Sequence, residues 1–343
     1  MPNFHDYRPL VSLSRAFLLI FLTVGGSIFS AQASEDSEDE IFNPADLIMH
    51  HIIDSHEWHL FSAGDIHVTI PLPVILYSSE NGLVFFLSNK ITHGDIYKGY
   101  RYEHNHIVAE DGHSFFDFSI TKNVTALFVS VLILLWIFTS VAKGYKKNEG
   151  KAPSGVQSFF EPIIIYVRDE IVKPSIGKNY EKYLPYMLTL FFFIWFGNFL
   201  GLLPGAANLT GNIAVTLTLA FFTFIMTLAS SNKHYWIHIF NPPGAPWWLK
   251  FPIPILPMVE FIGIFNKPFS LLLRLFVAIT AGHIVILSLI SLTFIFQSYM
   301  VGFASTLIVT FINLIELLVA TIQAYVFTLF SSMYIGMAQV ENH

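Results

Sequence analysis

KPFSLLLRLFVAITAGHIVILSLI, residues 267–290, decides how this chain is read. After Lys267 the run is apolar or small, apart from Arg274, His283 and the hydroxyls of Ser270, Thr280 and Ser288. A guanidinium keeps its charge at any physiological pH. Moving one to the centre of a hydrocarbon layer costs at least about 2.5–3.5 kcal/mol. An arginine at a helix end avoids that cost by reaching for the headgroups, but apolar residues continue well past Arg274 toward the C-terminus. Arg274 therefore reads as a fixed positive charge within a membrane, where it needs a partner or an ion path.

The rest of the chain is written for the same solvent. Of its 343 residues, 54% are hydrophobic and only 12% are charged, about half the charge of an ordinary soluble domain. Several uncharged stretches reach the ~20 residues that span a bilayer. The expected fold is an all-α polytopic membrane protein with about five transmembrane helices, at 124–142, 183–203, 213–229, 251–298 and 302–339. The last two are too long for a perpendicular crossing and are expected to be tilted and antiparallel. No cysteine is present, which excludes disulfides, thiolate metal sites and cysteine nucleophiles. No basic stripe or motif points to nucleic acid.

Arg8 and Arg15 precede the apolar run 16–29, followed by Ala31-Gln32-Ala33 and the acidic SEDSEDE (34–40). That order is a signal peptide, so residues 1–33 are expected to be cleaved and the mature N-terminus to lie outside the cytoplasm. Residues 34–121 form a small mixed exported segment. In it PADLIMHHIIDSHEW (44–58) reads as an amphipathic helix, and 66–88 reads as strands around the hairpin signal Glu80-Asn81-Gly82. The segment holds nine histidines. His51, His56 and His59 have Asp54 and Glu57 nearby in sequence as further ligands, but no zinc-type spacing recurs and HExxH is absent. A solvated surface is expected there, with no metal and no cofactor.

Residues 122–250 hold the first spans. Lys143, Lys146, Lys147 and Lys151 follow the first of them and mark the cytoplasmic side. Residues 152–180 are expected at that interface, with 156–173 either an interfacial helix or a short re-entrant hairpin. PGAANLTGN (204–212) reads as an external turn, and 230–250 returns to the cytoplasm. Residues 251–343 then supply the two long helices, and the C-terminus is cytoplasmic. No internal repeat of the kind many transporters show is evident.

The two long segments carry isolated polar groups: Glu260, Lys267, Ser270, Arg274 and His283 on the first, Asn313, Glu316 and Gln323 on the second. One antiparallel register sets His283 opposite Glu316 and Arg274 opposite Gln323 to within two residues. Glu316 and Gln323 are seven apart and share a helix face. At 1.5 Å per residue, Arg274 and Gln323 lie about 10–14 Å from the other pair. His283 and Glu316 fall toward the outside and Glu260 toward the cytoplasm. Imidazole and carboxylate relay protons near neutral pH, whereas a guanidinium only repels them or holds a carboxylate charged. Relays on both sides of a permanent cation amount to two half-channels with an electrostatic barrier. The competing readings are a secondary transporter that uses Arg274 to bind an anion, and an assembly subunit in which the polar groups only join helices.

These residues also carry a resemblance. KPFSLLLRLF (267–276) with AGH (281–283), IQAYVFTLFSSMYIGMA (322–338), PADLIMHH (44–51) and GNIAVTLTLA (211–220) resemble motifs of the a subunit of the Fo membrane sector of bacterial ATP synthase. The resemblance covers nearly all of the expected mature chain. It implies that Arg274 matches the family's essential arginine and Gln323 its glutamine. Many members carry Glu and then His where this chain has His283 and Glu316. Ala278 departs from an asparagine common there, and the exported segment and signal peptide are unlike shorter members. The resemblance further implies a proton-translocating stator subunit in the bacterial inner membrane. Its partners would be the c-subunit ring, the b subunit stator and the rest of the F-type ATP synthase, with Glu260 and Ser270 flanking the path on the inner side. No P-loop is present, so ATP binding and hydrolysis are not expected of this chain itself.

Overall fold

A computed structural model of the chain describes residues 54–63, 66–91, 96–103, 106–203, 207–240 and 255–339. The expected signal peptide at 1–33, and residues 44–53 of the expected helix, lie outside this set. The chain divides into two compact units. One gathers the described residues up to Lys122, Leu203, and Leu289–Phe311. The other holds Asn123–Leu202, Ala207–Ser288 and the residues from Ile312 onward.

The first unit is mainly β. Its strands are β1 (Glu57–Ala63), β2 (Ile66–Pro71), β3 (Pro73–Ser78), β4 (Gly82–Leu87), β5 (Tyr100–Glu103), β6 (His106–Ala109) and β7 (Phe115–Asp117). All pairings are antiparallel: β1 with β2, β5 with β6, and a three-stranded sheet in the order β4-β3-β7. Alternation decides the faces. Val74, Leu76, Val84 and Phe86 point into a core with Ile91, Tyr100 and Ile107, while Tyr77, Leu83 and Phe85 face outward. The expected hairpin is present: Ser78 pairs with Gly82, which takes φ +64° at the turn. The helix expected over 44–58 is not found in its described end, because Glu57 and Trp58 already pair with Pro71 and Ile70. Cross-strand pairing there overrides the local helical pattern. Asp117 on β7 accepts a hydrogen bond from His56 at 2.9 Å, and its other oxygen accepts from the Ser119 amide at 2.8 Å.

The second unit is helical. Its elements are α1 (Lys122–Lys147), α2 (Val156–Tyr166), α3 (Lys173–Ile176), α4 (Tyr180–Gly201), α5 (Ile213–Ala229), α6 (Lys233–Phe240), α7 (Ile255–Phe296) and α8 (Tyr299–Gln339). The ends of α7 and α8 nearest their connection belong to the first unit. Each of the five expected spans falls on a helix: α1, α4, α7 and α8 are long and apolar enough to cross a membrane, and α5 is a shorter apolar helix. The Asn212 side chain caps α5 by accepting from the Ala214 amide at 2.8 Å. Inside the spans, Thr218 and Thr227 donate to carbonyls one turn back, while the buried hydroxyls of Thr280 and Thr328 have no hydrogen-bond partner among the described residues.

The segment expected at the interface is one helical run. α2 passes through a π-helical stretch (Val167–Val172) into α3, and Gly177 at φ +79° stops it. It is therefore not a re-entrant hairpin. Phe160, Val167, Ile171 and Val172 are buried in a core with Met187, Phe192, Leu271 and Phe327. Apolar burial on one face thus accounts for its amphipathic pattern. Gly336 of α8 comes so close to this run that a Cβ there would collide with the Ser175 carbonyl.

α7 and α8 have 42 and 41 residues, about 60 Å each at 1.5 Å per residue, twice the ~30 Å hydrocarbon layer. Such helices fit a bilayer only when tilted or bent, and Pro268 inside α7 removes one helical hydrogen bond. Only Gln297 and Ser298 separate them, with Gln297 at φ +45°. A link this short makes them antiparallel neighbours.

Candidate ion path on two long helices

Packing begins at the end of α4. Asn198 is buried, and its amide donates to the Ala320 carbonyl of α8 at 3.2 Å. Its oxygen accepts from the Thr210 hydroxyl at 2.5 Å. Trp195 donates to Thr321 at 3.2 Å. Together these bonds fasten α4 and the 207–212 turn to α8 within two turns of Glu316.

His283 then sits between two partners. Its Nε2 lies 3.2 Å from the Gly201 carbonyl and its Nδ1 hydrogen-bonds Glu316 Oε1. A carbonyl only accepts, so Nε2 carries a proton in this arrangement. Nδ1 and the Glu316 carboxyl are left to share the next one, as a neutral acid–imidazole pair or as a carboxylate–imidazolium pair. The Glu316 side chain is 3% exposed, and its Oε2 is buried with no hydrogen-bond partner. Gly282 makes the approach feasible: a Cβ there would lie 2.8 Å from Oε1.

Arg274 lies nine residues before His283 on α7. Its guanidinium stacks over the Phe330 ring, 4.1 Å from the centroid. Nη1 is buried without a hydrogen-bond partner, and among the described residues no carboxylate pairs with Arg274. A desolvated cation–π contact is worth about 2 kcal/mol, less than the cost of burying the charge. Gln323 is half-buried on α8, but no hydrogen bond joins it to Arg274 among the described residues. The reason is directional. Side chains lean toward the N-terminus of their own helix, so on antiparallel helices Arg274 leans toward Phe330 while Gln323 leans away from it. Ser270 lies half-buried one turn before Arg274, on the same face.

Glu260 forms a separate group. It lies two turns from Lys267 on α7, and both sit near Tyr235 of α6. Lys267 Nζ is 6.0 Å from the Tyr235 ring and 5.6 Å from the Tyr334 ring of α8. Burial, aided by the Glu260 charge, pushes the Tyr235 phenol above its usual value. The structure thus joins His283 with Glu316, and Glu260 with Lys267 and Tyr235. It leaves Arg274 and Gln323 apart.

Sequence reading did not single out Asn198, Gly201, Thr210, Gly282 or Phe330. The glycines at 197 and 201, one turn apart, were a usable signal for close helix approach. The carbonyl contact of His283 had none. Of the histidines considered for a metal, His56 is engaged with Asp117, His51 is outside the described residues, and nothing is described of the His59 side chain.

Fold and site define a multi-pass membrane protein with ionisable groups held between two long antiparallel helices. The family described as the ATP synthase A chain matches residues 124–336, and a domain of unknown function matches residues 47–126. "ATP synthase subunit a" of Chloroherpeton thalassium is 44% identical over 235 residues, covering 66% of this chain and 69% of that protein. "ATP synthase subunit a 2" of Chlorobaculum tepidum is 38% identical over 306 residues, covering 87% and 74%. Its namesake in Prosthecochloris aestuarii is 37% identical over 318 residues, covering 91% and 85%. The chain belongs to the a-subunit family of the Fo sector of bacterial F-type ATP synthase.

Proposed function

We propose that this subunit is the proton-conducting stator of its ATP synthase, offering two half-channels to carboxylates on a rotating c-subunit ring. The observation that carries the reading is Arg274: a half-buried arginine whose Nη1 is buried without a hydrogen-bond partner and which has no carboxylate partner among the described residues, on a helix that also presents exposed apolar side chains. A carboxylate delivered by another chain would complete it. Opposite charges at low effective dielectric attract by several kcal/mol, enough to hold a ring carboxylate ionised as it passes.

A proton enters from the outer face at Glu316 Oε2 and crosses the shared Oε1–Nδ1 hydrogen bond of the His283 pair. It then neutralises a ring carboxylate, which turns toward lipid. After nearly a full turn the proton leaves on the inner side past Ser270 and Glu260. Arg274 stands between the two paths and repels any proton attempting a direct crossing. A membrane potential of about 100 mV supplies about 2.3 kcal/mol per proton moved. Gln323 lines the path on α8, two turns from Glu316.

The topology of this reading has residues 1–33 cleaved, 34–121 exported and the C-terminus cytoplasmic, in a bacterial inner membrane. The b subunit holds the chain in the stator against the torque of the ring. ATP-driven acidification of inverted vesicles tests the path. Glu316→Gln removes the shared proton while keeping size, and pumping falls at least about tenfold, or ~1.4 kcal/mol of barrier. Undiminished pumping by a fully assembled Glu316→Gln complex would remove Glu316 from the path.

A further inference from the structure

We propose that Glu80, Asp111 and His113 bind a single first-row divalent cation of the zinc class, joining the β3–β4 hairpin to the β6–β7 connection. Glu80 sits on the hairpin turn, and Asp111 and His113 flank Gly112 in the connection. Although about thirty residues separate them in sequence, one ligating atom from each lies within 4.8 Å of the others. Gly112 at φ +71°, with its amide bonded to the Ala109 carbonyl at 3.1 Å, makes the turn that brings Asp111 and His113 together.

His113 is the fixed member. Its side chain is only 8% exposed, and its Nε2 lies 3.0 Å from the hydroxyl of Tyr100, itself fully buried. The Tyr100 and Phe115 rings flank it edge-on, at 5.4 and 6.3 Å between centroids. A polar partner on one nitrogen and packing on the ring are what orient a metal-binding imidazole. The other nitrogen, Nδ1, is buried and makes no hydrogen bond, although Asp111 Oδ1 is 3.3 Å away. The carboxylate is close enough but lies off the line that an Nδ1–H bond requires. When Nε2–H donates to Tyr100, Nδ1 presents a lone pair to two carboxylates. Three acceptors then converge, and a cation satisfies all of them.

The donor set selects the ion. One imidazole with two carboxylates and no thiolate suits zinc and its first-row neighbours better than calcium, which takes oxygen ligands. Zinc bonds of about 2.0–2.2 Å require the ligands to draw inward. Glu80 and Asp111 are exposed and free to do so, Asp111 at 64%. Three protein ligands leave a fourth position for water. The sequence pointed elsewhere because its histidine spacing drew attention to 51–59, and these three ligands share no local motif.

The test is zinc titration of the full chain, purified in detergent and stripped with a chelator, against a competing chromophoric chelator. The wild type binds one more equivalent of Zn2+ than His113→Gln, and Glu80→Gln weakens that equivalent at least tenfold. Because Glu80 is exposed on a turn, Glu80→Gln leaves folding intact and decides the matter if His113→Gln does not fold. X-ray absorption of the bound zinc shows nitrogen and oxygen neighbours. Equal zinc content and affinity in the wild type and Glu80→Gln, as scattered binding to the other histidines would give, overturns the proposal.

Discussion

Glu316 has one oxygen engaged and one buried without a partner, and its neighbour on α7 is a glycine because nothing larger fits. Adding a methyl at Gly282 would set it 2.8 Å from Oε1, a contact that forces either the carboxylate or the helices apart. Gly282→Ala is therefore expected to lower ATP-driven proton pumping about tenfold, equivalent to ~1.4 kcal/mol, with smaller loss of assembled complex. The check is pumping per assembled complex, and an unchanged rate would mean that the His283–Glu316 bond does not limit transport. The pairing of His283 with Glu316 was legible in the sequence, because both sit at one antiparallel register and few other polar groups compete. The place of Arg274 was not. A register defined by Cα positions omits the lean of long side chains, and that lean carries Arg274 to Phe330 instead of Gln323.

At the scale of elements, the apolar helices were legible because a membrane span needs length and composition more than any particular contact. α2 and α3 were harder. Charges at Arg168, Asp169 and Glu170 interrupt an apolar face, and local pattern alone does not distinguish a surface helix from one buried on α4. The strands of the first unit were legible where alternation and the Glu80-Asn81-Gly82 turn agreed, and failed at Glu57–Trp58, where pairing with β2 decides. β7 is held by the His56–Asp117 pair. Burial alone would raise the Asp117 carboxyl, but hydrogen bonds from His56 and Ser119 outweigh it and hold the group below its usual value. A carboxyl depressed in the folded state contributes stability above its unfolded value, and that contribution is lost as pH falls through the folded one. Amide protection at β3 and β7 in the full chain, measured against the intrinsic exchange rate at each pH, should fall below about pH 4. That loss of protection should be smaller in Asp117→Asn; the same pH profile in both proteins would contradict the pair's role.

For the whole molecule, two helices of about twice the hydrocarbon thickness offer a long apolar surface, and the proposed function has the ring move along it. Their exposed faces are apolar, including Phe261, Phe265, Phe269 and Val277 on α7 and Phe303, Leu307, Phe311 and Leu318 on α8. Lipid or another protein's apolar face covers such a surface. Within it, Arg274 is the charge on which the account depends. The most direct measurement is ATP-driven acidification of inverted vesicles carrying Arg274→Ala, with the quantity of assembled ATP synthase determined in the same membranes. The account predicts that acidification is lost while assembly stays normal. Normal acidification by Arg274→Ala would contradict it and reduce Arg274 to a structural cation stacked on Phe330.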